Sequence, residues 1–218
     1  MALLLNIDTA LENASVCLAK GEAVVAFAEN SVKNQTASWL HEAIKEMAGK
    51  AGITLQDIDA VAVSNGPGSY TGLRIGLATA KGLCYALQIP LICINTLTLM
   101  ASAVKDKAEE FIVPMIDARR MEVFTALFDK ELNIIKQPEA TILSPESYAD
   151  ILTNHKVLFT GDGTVKFKSI VTAPTASFIE GKVNALNMLG LSQQRFEQQM
   201  FNDLAYTEPF YIKNVYTK

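Results

Sequence analysis

The stretch SNGPGSYTGLRIGLATAKGL, residues 64–83, places five glycines, one proline and one arginine in twenty positions. Such a loop leads into either a phosphate site or a tight protein contact, and the glycine spacing separates the two. A phosphate loop of the form GxxxxGK[ST] needs a lysine after its last glycine. Here Gly66 and Gly72 stand one residue too far apart, and Gly72 is followed by Leu73 and Arg74. A dinucleotide loop needs GxGxxG; after Gly66-Pro67-Gly68 the next glycine, Gly72, comes one position late. Pro67 also removes an amide that an anion would use. The loop still opens a helix, whose N-terminus favours negative charge.

That helix is expected from about Tyr70 to Leu87. Gly72, Gly76 and Ala80 recur every fourth residue along it, with Thr79 and Leu83 alongside, so one face carries almost no side chains. An interior glycine costs a helix about 1 kcal/mol relative to alanine. Gly76 and Gly82 therefore imply that something packs closely on the helix. Leu73, Leu77, Cys84 and Leu87 read as a separate, bulkier face suited to a sheet. Spacing alone leaves two occupants for the bare face: a neighbouring element of the same unit, or another chain.

Upstream, LLLNID (3–8), NASVCLAK (13–20) and AVVAFAEN (23–30) alternate at period two and are joined by short links, which predicts an antiparallel meander. A helix capped by Asn34 or Thr36 should follow, running to about Lys50 on an apolar stripe that includes Leu40, Ile44 and Met47. Trp39 lies off that stripe and reads as an exposed interface candidate. DIDAVAVSNG (57–66) and LICIN (91–95) are buried parallel strands, and Thr96 opens a helix to about Lys105. Residues 1–106 thus form a β-β-β-α-β-α-β-α lobe. The charged run KDKAEE (105–110) marks the boundary to a second α/β lobe, 107–218, with strands at 111–117, 121–129, 133–143 and 156–163 and helices near 145–153 and 176–190. No sequence repeat links the halves; the order of their elements is similar.

A formal net charge of −4 with four arginines argues against a chain that grips nucleic acid unaided, since phosphate contacts need a positive surface. Lys166 and Lys168 read as a solvated face of a strand-like run. Three cysteines, with no CxxC pair and no Cys/His cluster, indicate neither a disulfide framework nor a zinc site. MALLLNIDTA lacks a signal peptide's basic start, and no apolar run approaches the ~18 residues of a membrane span, so a cytoplasmic protein is expected. Asp8 and Asp117 end the first strand of each lobe, where a carboxylate can hold a metal-bound phosphate or simply shape a turn.

IDTA (7–10), SNGPGSYTGLRIGLATAKGL (64–83), INTL (94–97), IDARRMEVFTALF (116–128) and EPFYIKN (208–214) together resemble the TsaB (YeaZ) family of tRNA threonylcarbamoyladenosine biosynthesis. The motif positions are Asp8, Thr9, Gly66, Pro67, Gly68, Arg74, Asp117, Arg119 and Glu122. The resemblance spans essentially the whole chain. It implies the two-lobed fold of actin, sugar kinases and heat-shock chaperone ATPases, built from ribonuclease H-like lobes with the second reduced.

It also implies a non-catalytic scaffold working with TsaD and TsaE. That machinery moves threonylcarbamoyl from its adenylate to the adenosine next to the anticodon of tRNAs reading codons that begin with A. The catalytic sibling TsaD carries two metal-binding histidines spaced i, i+4, and the matching positions here are Thr96 and Met100. Threonine and thioether sulfur are poor ligands for such metals. The resemblance therefore implies no catalytic residue, no metal and no intrinsic cofactor, and leaves open a nucleotide between subunits and a homodimer of the chain alone. It assigns the bare helix face (Gly72, Gly76, Thr79, Ala80, Leu83), with Trp39, Ala43 and Met47, to contact with TsaD; tRNA is reached only through the complex. The segment 29–36 lacks the histidine many relatives carry near Thr36. The alternative is a nucleotide-dependent enzyme of the same fold, a small-molecule kinase or a peptidase.

Overall fold

The computed structural model describes residues 1–32 and 35–213. The chain divides into two compact units, Met1–Thr96 with Val183–Phe210, and Leu97–Lys182 with the C-terminal residues from Tyr211.

In the first unit, β1 (Leu3–Asp8), β2 (Ala14–Lys20) and β3 (Ala23–Asn30) form the expected meander. β4 (Ala60–Ser64) and β5 (Leu91–Ile94) add parallel to β1, giving the order β3-β2-β1-β4-β5. Alternation along β1 sends Leu3, Leu5 and Ile7 to one face, where they join Val16, Leu18, Val61, Val63, Leu91 and Cys93. Helices α1 (Thr36–Lys50) and α2 (Tyr70–Leu87) seal that face with Leu40, Ile44, Met47, Leu77 and Ala80. Each of the Leu, Ile and Met side chains among these contributes about 1.5–3 kcal/mol when fully buried. The residue preceding α1 is Gln35, so Thr36 is its first residue and not its cap; Asn34 lies outside the described residues.

The boundary expected at 106/107 is not where the chain divides. Val183–Phe210 returns to the first unit. A 3-10 turn at Ala185–Met188 packs on β1 and β2, and α6 (Leu189–Glu197) packs on β1 and β5. The return is fixed by polar bonds as well as burial: Ala185 N donates to Ser15 Oγ at 2.9 Å, and Asn202 Oδ1 accepts from Cys93 N at 2.8 Å. The helix expected near 176–190 is replaced by strand β10 (Ala176–Ile179), then this turn and α6.

The second unit repeats the plan. β6 (Phe111–Asp117), β7 (Glu122–Asp129) and β8 (Ile134–Ile142) are antiparallel, while β9 (Val157–Thr160) and β10 run parallel to the centre, in the order β8-β7-β6-β9-β10. Numbered from its own first strand, this order is that of the first sheet. The two units are therefore two ribonuclease H-like α/β folds in tandem, as expected of the actin-like class. The second is reduced: its helices α4 (Ala149–Leu152) and α5 (Thr164–Lys168) are single turns. Its core compensates with aromatic contacts, Phe159 lying 5.0 Å from Phe167 and 5.3 Å from Phe178. Such pairs add about 0.5–1.5 kcal/mol each beyond area. The remaining helix, α3, spans Thr96–Ser102 and stops three residues short of the expected Lys105. Among the described residues no helix is long and apolar enough to cross a membrane.

Candidate interaction site

The glycine stretch folds as expected locally. Ser69 caps α2, its Oγ accepting from Gly72 N at 3.2 Å, and Gly66-Pro67 is a cis peptide. What the stretch grips is the end of β1. A β-carbon on Gly68 would overlap Ala10 O, one on Gly72 would overlap Thr9 O, and one on Gly76 would overlap Thr9 Oγ1. Thr9 Oγ1 donates to Gly72 O at 2.7 Å, and Ser69 N donates to Ala10 O at 2.7 Å. Gly66, at φ +116°, accepts from Thr96 N at 2.9 Å and stands against Phe210 O and Leu73. The helix-entry amides of Ser69, Gly72 and Leu73 all bond within the chain.

This corrects the assignment of Gly72, Gly76 and Ala80 to a partner. All three are buried against the chain's own sheet, on the same side as Leu73, Leu77 and Cys84. At 100° per residue the two sets fall within one wide sector of the helix, so the separation into bare and bulky faces does not hold. Met47 and Ala43 are likewise buried in the core of this unit, and Trp39 is half-buried against it instead of exposed.

The outward side of α2 carries a second run of small residues. Ala78 and Gly82 are exposed, and nothing lies within 4 Å of where a Gly82 β-carbon would be. With Ile75 they face Ala37 and His41 of α1 across a groove of about 400 Å³, completed by Thr79 and Leu83. Of the eight residues assigned to docking, Thr79 and Leu83 line this groove. Ala37, His41, Ile75 and Ala78, none of them assigned from the sequence to a contact face, also line it, together with Gly82, which the sequence marked for close packing but did not place on a face. Arg74 is exposed, its guanidinium 4.1 Å from the centre of the Tyr70 ring.

Asp8 is fully buried. Its Oδ1 accepts from Ser64 Oγ at 2.5 Å and from Ala10 N at 3.1 Å, while Oδ2 has no partner among the described residues. Desolvation raises its pKa, against the opposing hydrogen bonds from Ser64 and Ala10. Asp117, in the second unit, sits differently: Lys166 Nζ lies 2.5 Å from Oδ1 and holds the carboxyl below the ordinary aspartate range. Lys166 thus belongs to helix α5 and an ion pair, not to a solvated strand. Arg119 N also donates to Asp117 Oδ1, and Glu122 pairs with Lys213 at 2.5 Å. Thr96 and Met100 are buried, Met100 Cε lying where a β-carbon on Gly161 would go. Among the described residues no three His, Cys, Asp or Glu side chains converge as metal ligands.

Residues 30–217 match the family described as TsaD, tRNA N6-adenosine threonylcarbamoyltransferase. Over 98% of its length the chain is 30% identical to the tRNA threonylcarbamoyladenosine biosynthesis protein TsaB of Haemophilus influenzae, covering 94% of that protein. It is also 30% identical to the protein of that name from Escherichia coli, with 97% and 94% covered. The solved structure of YeaZ from Pseudomonas aeruginosa superposes with a TM-score of 0.81 at 25% identity, covering 97% of this chain and 100% of that one. Full-length identity, the tandem fold and the loop that locks onto β1 lead to one assignment: the chain belongs to the TsaB (YeaZ) family of tRNA threonylcarbamoyladenosine biosynthesis proteins.

Proposed function

We propose that the chain serves tRNA threonylcarbamoyladenosine biosynthesis as a non-catalytic scaffold for a TsaD-type transferase, with a TsaE-type ATPase assisting. The observation that carries this reading is the groove between α1 and α2, where Gly82 and Ala78 are exposed. Small side chains there let a partner helix approach closely, so that its own side chains fill the groove. The reading is supported on the chemical side by Thr96 and Met100, which offer no good metal ligand at the positions where the resemblance places the sibling's histidines. It assigns the chain no intrinsic cofactor; a nucleotide, where the assembly uses one, belongs to the shared face. Working on tRNA, the chain acts in the cytoplasm.

The test is threonylcarbamoyl transfer to tRNA, measured with the chain alone, the transferase alone and the two together. Transfer should depend on the mixture. Turnover by the isolated chain would overturn the scaffold reading and return the alternative enzyme to the front.

A further inference from the structure

The β6–β7 connection holds its backbone in a form that non-glycine residues rarely adopt. Arg119, Arg120 and Met121 have φ of +69°, +45° and +59°, the only run of three consecutive left-handed residues among those described. Conformations of this kind cost about 1–3 kcal/mol each and persist where surroundings over-determine them. Here they are over-determined. Arg119 N bonds to Asp117 Oδ1, Glu122 N to Arg119 O at 2.8 Å, Ala118 N to Glu122 O at 3.0 Å and Leu143 N to Met121 O at 2.7 Å.

The turn presents two of the chain's four arginines side by side, both exposed. Of the carboxylates around it, Asp117 pairs with Lys166 and also feels the Arg119 charge, Glu122 pairs with Lys213, each lysine at 2.5 Å, and Asp162 Oδ1 accepts from Asp117 N at 3.0 Å. Arg119, Arg120, Lys166 and Lys213 outnumber Asp117, Glu122 and Asp162, so this turn is locally positive on a fixed backbone in a chain whose net charge is −4. Guanidinium groups bind phosphate oxygens in a two-pronged fashion, and a pre-ordered backbone lowers the entropy lost on contact.

We propose that the Arg119–Arg120 turn is this chain's contact to the phosphate backbone of RNA. The inference rests on the tRNA-modification reading for the identity of the polyanion and on the turn for its place. Two phosphate contacts give binding that is weak at physiological salt, where the acidic remainder of the chain opposes it, and measurable at low salt, where counterion release favours it most. At physiological salt the contact sets orientation while a partner supplies the affinity.

The test is binding of unmodified tRNA to the full chain between about 20 and 200 mM salt, read by fluorescence anisotropy. Arg119→Gln/Arg120→Gln should weaken binding about tenfold or more at low salt and flatten the salt slope by about 2. Lys105→Gln/Lys107→Gln removes the same charge at the opposite end of β6 and should leave the slope unchanged. Melting temperatures establish that both variants fold; should the arginine variant unfold, Arg119→Lys/Arg120→Lys keeps the charge and should retain the slope while losing part of the affinity. Equal effects of the two glutamine variants, no measurable tRNA binding by the native chain at 20 mM salt, or arginine-dependent binding of AMP without tRNA would each overturn the proposal. None of these results touches co-elution with a transferase, so the scaffold reading stands or falls separately.

Discussion

Thr9 and Gly76 are matched across β1's end and α2: the Thr9 hydroxyl occupies the space a side chain at 76 would need, while donating to Gly72 O at 2.7 Å. The glycines that suggest a phosphate loop or a partner face are thus used to bring a helix onto the chain's own first strand. Small residues on α2 serve two surfaces, and only the outer one, Ala78 and Gly82, is open.

The inner contact makes Gly76 a stability residue. Gly76→Ala would force its methyl into Thr9, and overpacking of this kind costs about 1–3 kcal/mol. For a chain of this size the melting temperature should fall by roughly 2–10 °C. Thr9→Ala should restore part of the loss in the Gly76→Ala background, with a coupling of about 0.5–3 kcal/mol in a double-mutant cycle. Additive effects would show that the two residues do not meet.

Asp8 yields a pH prediction. Burial raises its folded pKa above that of an ordinary aspartate, near 3.8. Between the unfolded and folded values the unfolded chain binds fewer protons, so this group's contribution to stability is present below pH 3.8 and declines as pH rises through the folded pKa. Asp8→Asn keeps an acceptor for Ser64 and Ala10 but cannot ionise. Denaturant unfolding at pH 4 to 8 should show the variant gaining on the native chain as pH rises. A constant difference, or a loss of more than about 1 kcal/mol at pH 7, would instead mark the carboxylate as needed in charged form.

The three thiols should be inert in the folded chain. Burial pushes Cys17 and Cys84 up to about 11 and Cys93 to about 12, so thiolate is scarce at pH 8. Alkylation by iodoacetamide at that pH should proceed only on denaturation. Rapid labelling of one cysteine in the native state would show local opening around it.

Much of this was legible beforehand. The period-two runs give β1 to β3, and the helix expected after the glycine loop, from about Tyr70 to Leu87, is α2 as observed. The direction α2 faces was not legible from Gly72, Gly76 and Ala80 alone, because a bare face records close approach without saying by what. Leu73, Leu77 and Cys84, within the same sector, were the overlooked guide. The return of Val183–Phe210 was hidden for another reason: it depends on long-range bonds such as Ser15 to Ala185 and Cys93 to Asn202, which no local pattern announces. Lys166 misled similarly, since its partner Asp117 is 49 residues away.

The central claim, that the α1–α2 groove docks a transferase, is tested most directly with Gly82→Arg. The position is exposed with open space around it, and replacing an interior helix glycine relieves a cost of about 1 kcal/mol, so the variant should fold with an unchanged or slightly higher melting temperature. Its long, charged side chain would then occupy the groove and be buried unpaired by any docked helix. Co-expressed with the TsaD-type transferase of the same organism and passed over a size-exclusion column, the native chain should co-elute with the transferase and Gly82→Arg should elute alone. A folded Gly82→Arg that co-elutes as the native chain does would contradict the account and place the docking surface elsewhere.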